Sequence, residues 1–426
     1  MTREANDGAL RKLPKSGRSM LLGKPMVYLD NHATTAVDPR VLDCMLPYFT
    51  DHFGNASSST HRFGWKAADG VDLAREQVAT LIGCRSPSKE ILFTSGATES
   101  NNLAIKGVAR ALKERGDHLV TVATEHKAVL DSCLSLRSEG FRVTVLPVDS
   151  EGRVDPQAVA EAIEDRTVLV SVMLCNNEVG TVQPIAEIGR ITRSCGVLFH
   201  VDAVQGVGRV PFDVDAMNVD LVSLTAHKIY GPKGIGALYV RRYPKRTALA
   251  SFLDGGSQEQ RVRPGTLNVP GIVGLGSACE LMRKDGVHDA YRVRVLRDKF
   301  FHRLSTALDG VHRNGPTTNN HPGNLNLSFD AIDAQSLLLA VQPTVAISTG
   351  SACSSADAKP SHVLTAMGLS SERCRGSIRF GLGRFNTESQ MDRVANCIIR
   401  EVQRLRDTSY ESQLRSVNVD PATLDW

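Results

Sequence analysis

What the chain lacks narrows its class before any motif is read. No apolar run approaches the ~20 residues that a bilayer-spanning helix needs, and even residues 168–175 fall far short. No apolar stretch of the kind found in secretory signals stands near the N-terminus. The nine cysteines are odd in number and form no Cys-x-x-Cys pair, which argues against a disulfide framework and against a zinc ribbon. Surplus charge is scarce too. Fifty basic against 46 acidic groups leave +4, too balanced to imply nucleic acid or an anionic membrane as partner. A reducing compartment, the cytoplasm, is the expected home, and a special cysteine there would be a reactive thiol.

What is present is an ordinary globular mixture, 426 residues with 42% hydrophobic and 23% charged. That length accommodates one large α/β domain and a smaller one. Residues 1–25 are polar and read as a disordered leader. Glu4, Asp7 and a weak amphipathic pattern count against an organelle transit peptide. From residue 26 onward, short β-branched runs alternate with helical patterns. Strands are expected at 90–94, 118–123, 142–146, 167–174, 198–201 and 221–224, with helices at 101–115, 156–163 and 184–195 among them. This rhythm predicts a mostly parallel sheet covered by helices on both faces.

Such sheets bind ligands beyond the C-terminal ends of their strands. Polar residues gather at those ends: His126, Asn177, Asp202, Gln205, Thr225, His227 and Lys228. Lys228 stands where a buried strand runs into a glycine-rich turn. A partly desolvated lysine loses its proton readily and becomes a Schiff-base nucleophile; the competing reading is a solvated loop lysine. Asp202 is embedded in an apolar strand, where a carboxylate is costly unless a cation meets it. A protonated pyridine nitrogen suits that role; the plainer readings are a structural salt bridge or an N-cap for the following turn. Ser95-Gly96-Ala97-Thr98 joins a strand to a helix and presents backbone N–H groups to an anion such as phosphate, or serves as a plain N-cap.

After residue ~280 the texture changes. A charged helix over 289–308 is expected to open the smaller domain, and 324–329 to form an edge-type strand. Residues 347–358 are nearly all small and polar around Cys353, so an exposed loop is expected there, with a thiol placed to act as a nucleophile. Most other cysteines, Cys44 and Cys195 among them, lie in or beside apolar elements and take a core reading. Arg379, opposite its strand's apolar neighbours, can clamp a carboxylate. Arg384 is assigned to the surface.

The stretches FTSGATESNNLAIKG, TEHKAVLDSC, CNNEVGTVQPI, HVDAVQGVG, AHKIYGPKGIGALYVRR, GTLNV, STGSACSSA and SIRFGLGRF follow one another in this order. Together they resemble the cysteine desulfurases of the NifS/IscS type, class V aminotransferases of the pyridoxal-phosphate (PLP) fold type I. The resemblance covers residues 27–426. It implies an α/β fold with a mostly parallel central sheet flanked by helices, plus a smaller α+β C-terminal domain. The implied divisions are a leader at 1–25, a segment at 26–37 packing with the small domain, a PLP-binding domain at 38–282 and a small domain at 283–426 carrying the Cys353 loop.

It also implies roles. Lys228 would hold pyridoxal 5'-phosphate covalently, Asp202 would pair with the ring nitrogen, and His126 would stack on the ring and shuttle protons. Gln205 and Asn177 would lie near the phenolic oxygen. Ala97, Thr98, Thr225 and His227 would hold the phosphate, with Thr266 reaching it from the second subunit of a homodimer. Arg379, with Asn177, would bind the carboxylate of L-cysteine. Cys353 would take the sulfur as a persulfide, releasing L-alanine. Implied acceptors are an iron–sulfur scaffold protein, met by the ending VDPATLDW, and tRNA thiolation. No metal is implied. Departures are small: Thr225, Ala226, Ala56 and Gly381 stand where serine, glycine, proline and serine are common, and none removes a catalytic group. A selenocysteine lyase, another class V member and a non-catalytic interaction protein are the competing readings. The thiol loop speaks against a transaminase, and the intact Lys228, Asp202, His126 and Cys353 speak against inactivity.

Overall fold

The computed structural model describes residues 25–242, 247–349 and 360–408. The expectations for the leader, the Cys353 loop and the ending after 408 lie outside the described residues.

Among the described residues, twelve strands carry the architecture: β1 (Val27–Tyr28), β2 (Ile91–Thr94), β3 (His118–Val122), β4 (Arg142–Leu146), β5 (Thr167–Ser171), β6 (Leu198–Asp202), β7 (Leu221–Thr225), β8 (Gly236–Val240), β9 (Val311–Asn314), β10 (Asn324–Phe329), β11 (Val345–Ala346) and β12 (Ser377–Gly381). Seven of them form one sheet in the order β2-β8-β7-β6-β5-β3-β4. All its pairings are parallel except those of β8, which runs against both β7 and β2. Near-continuous apolar runs such as Leu221–Thr225 make sense there, because both faces of each strand are covered. Alternate residues supply two cores: Ile91, Phe93, Val201 and Leu224 face one, while Leu92, Leu119, Leu221 and Leu238 face the other. The helices Arg62–Ile82 and Ile185–Cys195 pack on the first face, and Ala97–Ala111 and Lys127–Ser135 on the second.

A separate three-stranded antiparallel sheet has the order β12-β10-β9. Its core includes Val27 and Leu29 from the start of the described chain, and β1 pairs in parallel with β11. Strand β10 is therefore the central strand, not the edge expected from the turn that precedes it. It is buried at every position because β9 and β12 flank it and apolar residues cover it.

Three further expectations are corrected. The charged helix foreseen from 289 is the second half of one helix, Val269–Ala307, 39 residues long. Pro270 sits in its first turn, where the missing N–H is harmless, and no later proline stops it. The change of texture marks a change of surroundings along one rod. Cys44 and Cys195 are exposed. The first lies off the face that Val41 and Met45 bury, and the second ends its helix. Arg384 is no surface residue: its buried guanidinium bonds Asp38 at 2.8 Å and Asp289 at 2.6 Å. Being paired on both sides, it can be buried at tolerable cost.

Candidate active site

The strands β2, β3, β5, β6 and β7 point the same way, so the residues that follow them meet along one edge of the large sheet. After β2 the chain passes Gly96, with φ of +154°, and enters the helix Ala97–Ala111. A side chain at Gly236 would come within 2.8 Å of the Gly96 Cα, so glycine is required where these backbones meet. The opening turn of this 15-residue helix leaves N–H groups without intrahelical partners, at the positive end of the dipole. Thr98 is exposed there, Ala97 is partly so, and Thr225 at the end of β7 is buried beside them. The Thr225 hydroxyl donates to the Ile235 carbonyl at 3.0 Å. Burial depresses the His227 imidazole to about 4, with Lys228 and Lys233 adding to the shift, so it is neutral near pH 7.

Lys228 ends the short turn Ala226–Lys228 and is half-buried. Its ammonium donates to the Ala33 carbonyl at 2.7 Å and to the His32 carbonyl. Asp202, only 5% exposed at the end of β6, accepts from the Asn101 side-chain amide at 2.8 Å and from the Val204 backbone N–H at 3.1 Å. Among the described residues no lysine or arginine closes an ion pair on it. His126 caps the helix Lys127–Ser135 by accepting from the Ala128 N–H at 3.1 Å. Burial lowers its pKa, Asp202 raises it and Lys228 lowers it again, so both charges bear on this ring. Gln205 is buried and exchanges two hydrogen bonds with His32.

Arg379 on β12 reaches the same place from the smaller sheet. Its guanidinium is 2% exposed, pairs with Asp30 at 2.8 Å and donates to the Asn177 carbonyl at 3.1 Å. The long arm thus brings together a strand of one sheet and the loop after β5 of the other. Beneath His126, the wholly buried Glu125 carboxyl accepts from the Met173 N–H at 2.5 Å, and burial holds it well above the usual carboxylate range. Ser361 donates to Glu178 at 2.6 Å, and His362 bonds the Glu125 carbonyl at 2.9 Å.

The sequence-derived residues Ala97, Thr98, His126, Asn177, Asp202, Gln205, Thr225, His227, Lys228 and Arg379 therefore lie on elements that meet at this edge. Thr266 is exposed, three residues beyond Arg263, whose side chain bonds Glu99 of the helix Ala97–Ala111 at 2.8 Å. Cys353 lies outside the described residues. Sequence reasoning gave no role to Asp30, His32, Asn101 or Glu125. The contacts of His32 span 173 and 196 positions, and no local signal announces them.

The donor set suits pyridoxal phosphate. Asp202 is a buried carboxylate held by neutral donors and open to a cation such as a protonated ring nitrogen. A helix N-terminus next to a glycine suits a phosphate, and Lys228 follows β7 at the same edge.

The family model for aminotransferase class V matches residues 27–394. A cysteine desulfurase IscS of Anaeromyxobacter sp. (strain Fw109-5) is 52% identical over 400 residues, 94% of this chain and 98% of that protein. A mitochondrial cysteine desulfurase of Drosophila melanogaster is 50% identical over 404 residues, 95% of this chain and 86% of that protein. A solved NifS-like protein superposes with a TM-score of 0.82 at 37% identity, covering 89% of this chain and 100% of its own. The chain belongs to the class V aminotransferase family and, within it, to the cysteine desulfurases of the NifS/IscS type.

Proposed function

We propose that the chain binds pyridoxal 5'-phosphate at this edge and uses it to move sulfur from L-cysteine onto Cys353. The observation that carries the reading is Asp202: a buried carboxylate that two neutral donors hold, at the sheet edge that also carries Lys228. When bound, the cofactor supplies an electron sink for bonds at the substrate's α-carbon. Lys228 would hold it covalently and, once released, carry a proton on Nζ. Asp202 would keep the ring nitrogen charged. His126, neutral through burial, would cover the ring and take or give a proton at Nε2. Gln205 and Asn177 would meet the phenolic oxygen. Ala97, Thr98, Thr225 and His227 would receive the phosphate.

Arg379, with Asn177, would bind the substrate carboxylate, for which a guanidinium fork is matched. The Cys353 thiolate then attacks the substrate sulfur. A sulfur–sulfur bond forms and the carbon–sulfur bond breaks; its electron pair stays on carbon, which is protonated to give L-alanine. The persulfide left on Cys353 would pass to acceptors, an iron–sulfur scaffold protein and tRNA thiolation among them.

We further propose a homodimer in which Thr266 reaches the phosphate of the other subunit. Leu46, Phe49, Phe53, Phe63 and Trp65 are all exposed on neighbouring elements, and apolar surface of that kind is ordinarily covered by a partner. Cytoplasmic residence accords with the eight described cysteines, all of them free. Among the described residues no helix is long and apolar enough to cross a membrane. The test is alanine formed from L-cysteine by wild type and Cys353→Ser side by side. Alanine from the wild type alone is expected. None from a cofactor-loaded wild type would sink the reading, and equal output from both would remove Cys353 from it.

A further inference from the structure

His32 touches two residues of the proposed cofactor site, Lys228 and Gln205. Its carbonyl accepts from both Lys228 Nζ and Gln205 Nε2, the latter at 3.0 Å. Its ring Nδ1 lies 3.1 Å from Gln205 Oε1. These contacts leave only one consistent assignment of hydrogens. A carbonyl oxygen can only accept, so the Gln205 nitrogen faces it. The Gln205 oxygen therefore faces Nδ1, and Nδ1 must carry the proton.

The ring is 3% exposed and meets the buried His321 ring edge-on at 4.5 Å between centroids. His321 accepts from the Gly323 N–H at 3.0 Å through its own Nδ1. Burial, with Arg379, Arg209 and Lys228 nearby, holds His32 well below the usual imidazole range, so its Nε2 keeps a lone pair. The imidazole is thus a neutral, fixed donor. One N–H of the Gln205 amide is spent on the His32 carbonyl, and the second remains to donate elsewhere.

We infer that His32 is a positioning residue. Its ring Nδ1–H and its carbonyl grip the two ends of the Gln205 amide, with the oxygen turned to the ring, so that the remaining N–H is delivered to the phenolic oxygen of the bound cofactor. This rests on the cofactor reading above. A donor on that oxygen stabilises its ionised form and makes the neighbouring imine nitrogen a weaker base, lowering the pH at which the yellow absorbance titrates. Without the ring donor only the carbonyl end is held, and the amide can swing about that contact and carry its free N–H away from the phenolic oxygen.

The test is a pH titration of absorbance on cofactor-loaded protein, with the cofactor dissociation constant measured alongside. Wild type, His32→Phe, His32→Asn, Gln205→Ala and the double variant His32→Phe/Gln205→Ala are compared. Phenylalanine keeps the ring's bulk and loses the donor. Asparagine places an amide nitrogen as many bonds from the backbone as Nδ1. His32→Phe is expected to raise the midpoint by about one unit, a roughly tenfold change in proton affinity. Gln205→Ala should do the same, the double variant should add nothing further, and His32→Asn should return close to wild type. A loaded His32→Phe with an unmoved midpoint, or shifts that simply add in the double variant, would overturn the inference. Should His32→Phe not fold, His32→Ala answers by the same readout. A wild type with no yellow band at all would instead overturn the cofactor reading, so the two failures are distinguishable.

Discussion

At the scale of single residues, the site is a set of polar groups whose costs of burial are offset by one another. Lys228 donates to two backbone carbonyls, and Asp202 accepts from two neutral donors. Lys228→Ala removes the only group assigned to hold the cofactor covalently. Its absorbance band is expected to vanish after dialysis, and alanine formation to fall by at least about 100-fold, the low end of what a lost acid–base group costs. A variant that still holds cofactor covalently after denaturation would reassign the lysine. Much of this site was legible in the sequence, because strand ends are local: Asp202 interrupts an apolar run, and Lys228 stands before a glycine-rich turn. His32 and Asp30 were not. Each acts on a residue more than 170 positions away, and only the fold brings them together.

At the scale of elements, two helices approach unusually closely. A Cβ on Gly276, in the helix Val269–Ala307, would lie 2.5 Å from the Ala74 Cα in the helix Arg62–Ile82. Backbone cannot yield as a side-chain tip can, so Gly276→Leu is expected to cost about 3 kcal/mol by urea unfolding. A loss under 1 kcal/mol would mean that the helices can part. The βαβ rhythm made the large sheet readable, because buried parallel strands are short, apolar and regularly spaced. Of the rod Val269–Ala307 the sequence reading gives only the charged part from 289, because composition follows surroundings rather than continuity. Its first half is buried against the large core, while its second half offers one face to water. Strand β10 was misplaced for a related reason: the turn at Pro322 and Gly323 resembles an edge signal, yet pairing on both sides is set by strands that lie before and after it in the chain.

At the scale of the whole molecule, an ionic bridge joins the parts that the two cores define. Asp38, before the first helix, bonds Arg40 and Arg384, and Arg384 also bonds Asp289. The Arg40 hydrogen bond, assisted by Arg384, lowers the Asp38 carboxyl from 3.8 to about 2 against the opposing effect of burial. A depressed folded pKa gives stability that is complete above the unfolded value and lost as pH falls toward the folded one. Thermal stability should therefore fall between about pH 4 and 2, and Asp38→Asn should be less stable at neutral pH with a flatter acid limb. An unchanged limb would assign acid lability to other carboxylates.

The proposed dimer gives the most demanding test, because it concerns where one residue acts. If Thr266 reaches its neighbour's phosphate, each site combines Lys228 of one subunit with Thr266 of the other. Thr266→Val alone would weaken cofactor binding at every site, and Lys228→Ala alone would abolish the covalent link at every site. In a mixed dimer of the two variants, one site inherits both defects and the other inherits neither. Half of the mixed sites should then regain covalently held cofactor at wild-type affinity, giving two classes in a cofactor titration. If Thr266 acts within its own subunit, no intact site forms, and mixing yields only the weakened and the dead. Giving each variant a different affinity tag and purifying through both in turn isolates the mixed dimer, so recovery reports the geometry of the site.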